Sequence, residues 1–401
     1  MKILYFHQHF QIPTQAGGTR SYEMARALIA KGHQVTMVCG EAAKLDLAPT
    51  SRKFISRGDV DGIDVIQIAL PYSNNDGIAK RAVTFLKFAM AGVRIALRED
   101  YDVVFATSTP LTAGIPGIAA KIFRRKKFVF EVRDLWPELP KALGMKNPFL
   151  LAAMSFLEWA SYHAADKLVG LSPGICDGIR RRSQKGKVVA MIPNGCDLQI
   201  FTPANRGEVD LEGIAPSDTV AVFTGAHGVA NGLDAVLDAA GVLLKKRRDD
   251  IKLVFIGSGN QKAHLQERAK NEGLTNCLFF APVPKVVLNR IVASADIGMM
   301  ILKNVPAFYY GTSPNKFFDY IASGLPVLNN YPGFLADHIN AAQCGIVVPP
   351  DDPNAFADAL IRLADSPELR RQYGINARKL AEESFAREKL SAEFVDFLVQ
   401  Q

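Results

Sequence analysis

The chain has 401 residues, 48% of them hydrophobic and 22% charged, which excludes a disordered or collagen-like protein. At about 150 residues per domain, this length predicts two to three domains. The formal net charge is +7, but residues 1–200 carry +10 and residues 201–401 carry −3. The first half is therefore expected to meet something anionic: nucleic acid, a membrane surface or a phosphorylated substrate.

Cys39, Cys176, Cys196, Cys277 and Cys344 are odd in number and lack metal-ligand spacing, so neither a disulfide framework nor a zinc site is expected. The opening Met1–His7 is too short an apolar stretch for a signal peptide. No segment offers about 18 uncharged apolar residues for a spanning helix. These features predict a cytoplasmic protein.

Short apolar, β-branched runs alternate with helical spacing along the chain. Strands are predicted to begin at Ile3, Val35, Val103, Phe128, Leu168 and Val188, then at Val220, Leu253, Leu278, Ile297, Val327 and Ile346. Helical spacing covers Tyr22–Ala30, Leu233–Leu244 and Ala355–Leu363. Strands alternating with helices imply α/β domains with parallel sheets covered on both faces. The stretch Pro193–Thr219 is dense in Gly and Pro and reads as a linker between two such domains. Ligands bind beyond the carboxyl ends of such strands, so the site is expected in the cleft between the domains.

Five segments could carry chemistry. Gln15-Ala16-Gly17-Gly18-Thr19-Arg20 follows the first strand and opens a helix. It reads either as an anion-binding loop or as a tight β–α turn. It is neither a Walker A nor a dinucleotide fingerprint. Glu131, Arg133 and Asp134 cluster at the end of a predicted strand, with Asp134 the best polar candidate on the acceptor side; a structural Arg133–Glu131 pair is the competing reading. Gly225–Gly232, with His227 and Asn231, suits a phosphate or sugar contact by backbone amides, though His227 could equally be a surface turn residue.

In the fourth segment, Ser313 or Thr312 can cap a helix that has Pro314 in its first turn and ends at Gly324. Lys316 sits where the helix dipole disfavours a cation, which fits an anion bound at the same end. An ion pair with Asp319 at i+3 is the alternative. The fifth segment is a helix over Ile78–Arg98. Lys80, Lys87, Arg94 and Arg98 fall in a ~40° stripe beside Val83, Phe85, Leu86, Phe88, Met90, Val93, Ile95 and Leu97. This suits the plane of an anionic membrane, or a buried helix whose charges snorkel to water. Basic clusters at Lys121–Lys127 and Arg180–Arg182 add to the charge.

Taken in order, these motifs resemble the family-four retaining glycosyltransferases of GT-B fold. The resemblance runs over nearly the whole chain. It rests on Gly17-Gly18, Ala165–Ser172, Ile192-Pro193-Asn194-Gly195-Cys196-Asp197 with Phe201, Phe255-Ile256-Gly257-Ser258-Gly259 and Asp319–Val327. It implies two Rossmann-like domains facing across a cleft: residues 1–200 on the acceptor side, and residues 201–384 holding a nucleotide-sugar. A last helix within about residues 385–401 would cross back onto the first domain. It implies catalytic roles for Asp134, Lys316 and Asp319. Donor contacts would come from Gly17, Gly18, Thr19, Arg20, Gly225, His227, Asn231, Gly257, Val283, Ser313, Pro314, Asn315 and Lys316. The donor would be UDP-linked, with no metal and no further cofactor required.

Two positions depart from the family pattern. The family often has two acids eight positions apart; Asp319 matches the second, but Gly311 stands in place of the first. The family's Arg and Lys after the second domain's first strand are absent, which leaves Lys316 to meet the diphosphate. The Ser-Pro-x-Lys variant resembles a bacterial subgroup that builds cell-surface polysaccharide, such as O-antigen or capsule, on polyprenyl-diphosphate carriers. The expected partners are therefore a nucleotide-sugar, a lipid-linked glycan and an anionic membrane met through Lys80, Lys87, Arg94 and Arg98. The expected location is the inner face of the plasma membrane. A UDP-sugar 2-epimerase of the same fold is the alternative enzyme. A nucleic-acid-binding protein is disfavoured by the acidic second half and the lack of recognition motifs.

Overall fold

The computed structural model describes residues 1–42, 44–50, 54–72, 76–207 and 211–400. The first domain has one nine-stranded sheet: β1 Lys2–Phe6, β2 Gln34–Glu41, β3 Ala48–Pro49, β4 Ile55–Val60, β5 Ile63–Pro71, β6 Val103–Thr107, β7 Lys127–Val132, β8 Lys167–Gly170 and β9 Val188–Met191. Its spatial order is β3-β4-β5-β2-β1-β6-β7-β8-β9. The second domain has β10 Thr219–Thr224, β11 Ile251–Ile256, β12 Cys277–Phe280, β13 Ile297–Met300, β14 Val327–Asn329 and β15 Gly345–Val347, in the order β12-β11-β10-β13-β14-β15. All six strands of the second sheet run parallel, as crossover helices require.

Every strand foreseen in the sequence is present and starts within two residues of its predicted position. The antiparallel pairs β3–β4 and β4–β5 lie outside that series. Their origin is local. Asp61-Gly62 joins β4 to β5 with both residues at positive φ, 53° and 83°, the geometry of a two-residue hairpin turn. Across the pair, Arg57 bonds Asp64 at 2.6 Å. The hairpin thus widens the sheet beyond the strand–helix rhythm.

Each sheet is buried on both faces. On the first sheet, one core holds Leu4, Phe6, Phe88, Phe128 and Tyr162, and the other holds Ile3, Tyr5, Met24, Phe105 and Phe394. Phe394 belongs to the last helix, Arg387–Val399, which returns to the first domain and buries Leu390, Phe394, Val395 and Leu398 there. The two crossing segments run side by side. Cys196 N–H donates to Phe385 O at 2.7 Å, and Arg387 N–H donates to Cys196 O at 3.0 Å. Within the predicted linker Phe201 is fully buried in the second domain's core; its residues 208–210 lie outside the described residues, as does Gln401 of the last segment. All five cysteines are buried and unpaired.

Candidate active site

The two β–α turns after β10 and β11 interlock. Gly257 has φ 153°, and a Cβ there would collide with the Gly225 carbonyl; one on Gly259 would collide with the His227 backbone. Glycine is therefore required at Gly257 for backbone packing. His227 is not a surface turn residue. It is fully buried, ringed by Phe223, Phe255 and Phe279 at 6.0–6.3 Å. Neither ring nitrogen has a hydrogen-bond partner among the described residues. Burial, with Lys262 and Lys316 nearby, pushes its pKa down to about 4, so the ring is neutral at pH 7.

Lys316 lies against this turn. Its Nζ donates to Asn231 Oδ1 at 2.7 Å and sits 4.4 Å from the Phe223 ring centroid. Asn231 is held in turn by its Nδ2 bond to Ala226 O at 2.7 Å. Among the described residues Lys316 makes no ion pair. The i+3 pairing with Asp319 is not formed; Asp319 faces Lys285 and Arg387 instead. Burial pushes Lys316 down to about 7, because an amide and a ring face compensate an ammonium less than a carboxylate would. Burial also raises the Asp319 carboxyl, against the pull of Lys285 and Arg387.

The helix bearing Lys316 and Asp319 spans Asn315–Ala322, with Pro314 rather than Ser313 or Thr312 at its N-cap. No side chain caps it, so its first amides have no side-chain acceptor. Ser313 is drawn elsewhere: its Oγ accepts from Asn194 N–H at 3.0 Å and its carbonyl from Asn194 Nδ2 at 2.5 Å. These bonds tie the crossing segment to the second domain. Thr312 Oγ1 donates to Phe308 O at 3.0 Å. Val283 packs partly buried on the second domain's core, just before the helix Lys285–Ser294.

The first domain meets this helix end directly. Gly18 abuts Asn315, whose Nδ2 would be 2.7 Å from a Cβ at that position, while Gly17 has the Gln11 side chain in that place. Thr19 is buried and its Oγ1 accepts from Lys285 Nζ at 3.2 Å. Lys285 also pairs with Asp197, which Arg387 Nε reaches at 2.7 Å. Sequence reasoning missed Lys285 and Arg387, which carry no local motif, and read Asn194 only as part of the Ile192–Asp197 motif, without its bonds to Ser313.

The Arg20 assignment as a donor contact is corrected. Arg20 is 1% exposed, and its guanidinium bonds Glu131 Oε2 at 2.7 and 2.9 Å, Pro193 O at 2.6 Å and Ile192 O at 2.9 Å. These four bonds clamp the sheet to the crossing segment and commit all but one N–H of the buried guanidinium to protein acceptors. Glu131 pairs with Arg20, not with Arg133. Arg133 instead places Nη1 3.4 Å from His7 Nε2. Asp134 stands half-buried beside it; burial raises its carboxyl and Arg133 opposes this. His7, Gln8 and His9 follow β1 directly. Three polar residues at a strand's carboxyl end were a legible signal that went unused.

The helix Ile78–Ala96 is neither fully buried nor fully exposed. Phe88 and Ile95 enter the core, whereas Val83, Leu86, Met90 and Leu97 are exposed. At 100° per residue the four exposed positions fall within ~60°, directly beside the Lys80, Lys87 and Arg94 stripe. Arg98 lies just past the helix end, also exposed. The neighbouring helices Gly114–Arg124 and Pro148–Ala164 extend this face with Ile122, Phe123, Phe149, Phe156 and Trp159, all exposed. Among the described residues no helix is long and apolar enough to cross a membrane. A cavity of 420 Å³ opens on the second domain between Gly232, Lys303 and Asp351, and Gly228, Val229 and Gly232 of the foreseen Gly225–Gly232 turn line it.

The family model described as Glycosyl transferases group 1 matches residues 210–380, and that described as Glycosyl transferase 4-like domain matches residues 16–195. A D-inositol 3-phosphate glycosyltransferase of Paenarthrobacter aurescens is 30% identical over 214 residues, 51% of this chain and 50% of the relative. An O-antigen chain mannosyltransferase C of Escherichia coli is 25% identical over 183 residues, 45% of this chain and 46% of the relative. The chain spans about half the length of the curated relatives it matches. Among solved structures, sucrose-phosphate synthase from Thermosynechococcus elongatus superimposes with a TM-score of 0.79 at 19% identity, over 99% of this chain and 98% of that one. HepE of Anabaena in complex with UDP-glucose does so with a TM-score of 0.70 at 14% identity, over 99% of each chain. At these identities the likeness speaks for the fold alone. With a transferase model on each domain and the GT-B architecture beneath them, the chain belongs to the family-four glycosyltransferases.

Proposed function

We propose that the protein transfers a sugar from a UDP-linked donor to a diphosphate-linked lipid glycan at an anionic membrane surface, with retention at the anomeric carbon. The observation that carries this reading is Lys316: an ammonium with no carboxylate partner among the described residues, at an uncapped helix end, beside the Gly225–Asn231 turn and opposite Gly18. A diphosphate would supply the missing counter-charge, and the helix dipole acts in the same direction. In the transfer, the bond between the anomeric carbon and the diphosphate oxygen breaks. The acceptor hydroxyl oxygen bonds to that carbon from the same face, and its proton passes to the leaving diphosphate. Lys316 and the helix end stabilise the charge that develops there.

The UDP-glucose in the HepE structure supports the donor class, and the name of the E. coli relative supports surface polysaccharide. The apolar and basic face of the first domain supports work beside a membrane. Calorimetry with UDP tests the central contact. Lys316→Ala should weaken UDP binding at least tenfold, by analogy with the loss of a charge-assisted hydrogen bond. Equal affinity would show that Lys316 does not meet the diphosphate.

A further inference from the structure

The first domain carries an aromatic shelf that the donor chemistry does not use. His9, Tyr72 and Phe85 come from the ends of β1 and β5 and from the helix Ile78–Ala96. His9 lies 4.3 Å from Tyr72 and 6.1 Å from Phe85, and Tyr72 stacks on Phe85 at 5.7 Å with an interplanar angle of 25°. The Arg81 guanidinium sits 5.7 Å from the Tyr72 ring and 5.9 Å from the Phe85 ring. Arg133 approaches from the end of β7, 3.4 Å from His7. Neither arginine has a carboxylate within ion-pair distance among the described residues.

Next to the shelf, polar side-chain atoms are buried with no hydrogen-bond partner among the described residues. They are His7 Nδ1, both amide atoms of Gln8, Thr109 Oγ1 and Arg81 Nε. A buried polar atom left unpaired is costly in a folded protein, and several near the carboxyl ends of β1 and β6 mark a place where a polar ligand completes the bonding. Sugars offer what this place lacks. Their C–H faces pack on aromatic rings, their hydroxyls bond amides and imidazoles, and a phosphate on the ring fits two guanidinium groups that have no carboxylate partner among the described residues.

We propose that His9, Tyr72 and Phe85 seat the ring of a phosphorylated sugar acceptor, with Arg81 and Arg133 holding its phosphate. Burial, together with Arg133 and Arg81, keeps His9 neutral by pushing its pKa down to about 4, so the shelf keeps the same charge across the physiological range. The subsite rests on the transferase reading, since it takes the acceptor for that reaction. It lies on the domain opposite Lys316, and the helix that supplies Phe85 and Arg81 also bears the exposed Leu86 and Met90. A lipid-linked sugar would thus reach the shelf from the membrane side.

Saturation-transfer NMR on the full chain with UDP present tests this with two probes: a short-chain prenyl-diphosphate N-acetylglucosamine and N-acetylglucosamine 1-phosphate. The wild type should transfer saturation to the sugar ring protons of at least one probe. Binding of only the prenyl probe identifies a lipid carrier as the source of the phosphate; binding of both equally identifies a soluble sugar phosphate. Tyr72→Ala and Arg81→Gln should each weaken that binding at least tenfold with UDP affinity unchanged, and Tyr72→Phe should retain it. If the wild type binds UDP but neither probe, or if both variants bind as the wild type does, the subsite is wrong while the donor reading stands. Loss of UDP binding by the wild type would overturn the donor reading, and the subsite with it.

Discussion

Lys316 is held by an amide and an aromatic face, and this has a pH signature. Its pKa in the folded protein is pushed to about 7, against 10.5 ordinarily, so it loses its proton as pH rises through 7. A bound diphosphate favours the charged form. UDP binding should therefore take up a proton between pH 7 and 9, visible as a buffer-dependent binding enthalpy, and should weaken over that range. Lys316→Arg should flatten the profile, and buffer-independent enthalpy would contradict the assignment. The same depression penalises folding. Below pH 7 the folded state must hold a buried charge, and the penalty is relieved as pH rises towards 10.5, where the unfolded chain also sheds its proton. Lys316→Met should thus raise the melting temperature more at pH 6 than at pH 10.

Arg20 shows what residue-level reading of a sequence omits. Its position after paired glycines suggests a phosphate ligand, but Glu131, 111 positions on, takes the guanidinium out of reach. Burial alone would raise the Glu131 carboxyl, yet Arg20, Arg133 and Thr107 hold it below its ordinary value. A carboxyl lowered in the fold contributes stability above its unfolded pKa, and that contribution is lost as pH falls through the folded value. Glu131→Gln leaves a buried guanidinium uncompensated and should destabilise by about 3–5 kcal/mol in denaturant titration. A change under about 1 kcal/mol would mean that water or another group replaces the carboxylate. His227 teaches the same lesson from the other side. Its burial depends on Phe255 and Phe279, and nothing within its own turn announces it.

At the scale of elements, most of the fold was legible. The apolar runs of β6, β7 and β10, each buried on both faces, carry their own strand signal. The β4–β5 hairpin was not read, because its evidence was the dipeptide Asp61-Gly62 rather than an apolar run. The helix Ile78–Ala96 was legible as a basic and apolar stripe, but its neighbours were not. Phe149, Phe156 and Trp159 join the same face only once the helices pack together. This face predicts cosedimentation with vesicles containing anionic lipid. Gln at Lys87 and Arg94 should make the binding weak and insensitive to salt. Asp at Leu86 and Met90 should abolish it, with the circular dichroism spectrum unchanged. Sedimentation unaltered in both variants would remove this face from the membrane.

At the scale of the molecule, two chain crossings and one helix join the domains. Asp197 lies at the junction, bonded by Lys285 of the second domain and by Arg387 at the start of the returning helix. Phe394 anchors that helix, 5.0 Å from Phe105. Phe394→Ala should cost about 3–5 kcal/mol in the first domain's unfolding and leave the second domain's transition in place; a single unchanged transition would contradict the strap. The charge difference between the halves follows this division. The positive half carries the basic face and the aromatic shelf, and the acidic half carries Lys316 at its cleft edge. The decisive measurement is product analysis after incubation with a UDP-sugar, with and without a prenyl-diphosphate-linked sugar. The account predicts free UDP and an extended lipid-linked glycan only when the acceptor is present. Conversion of the UDP-sugar to an epimer without acceptor, or no UDP release under either condition across a panel of UDP-sugars, would contradict it.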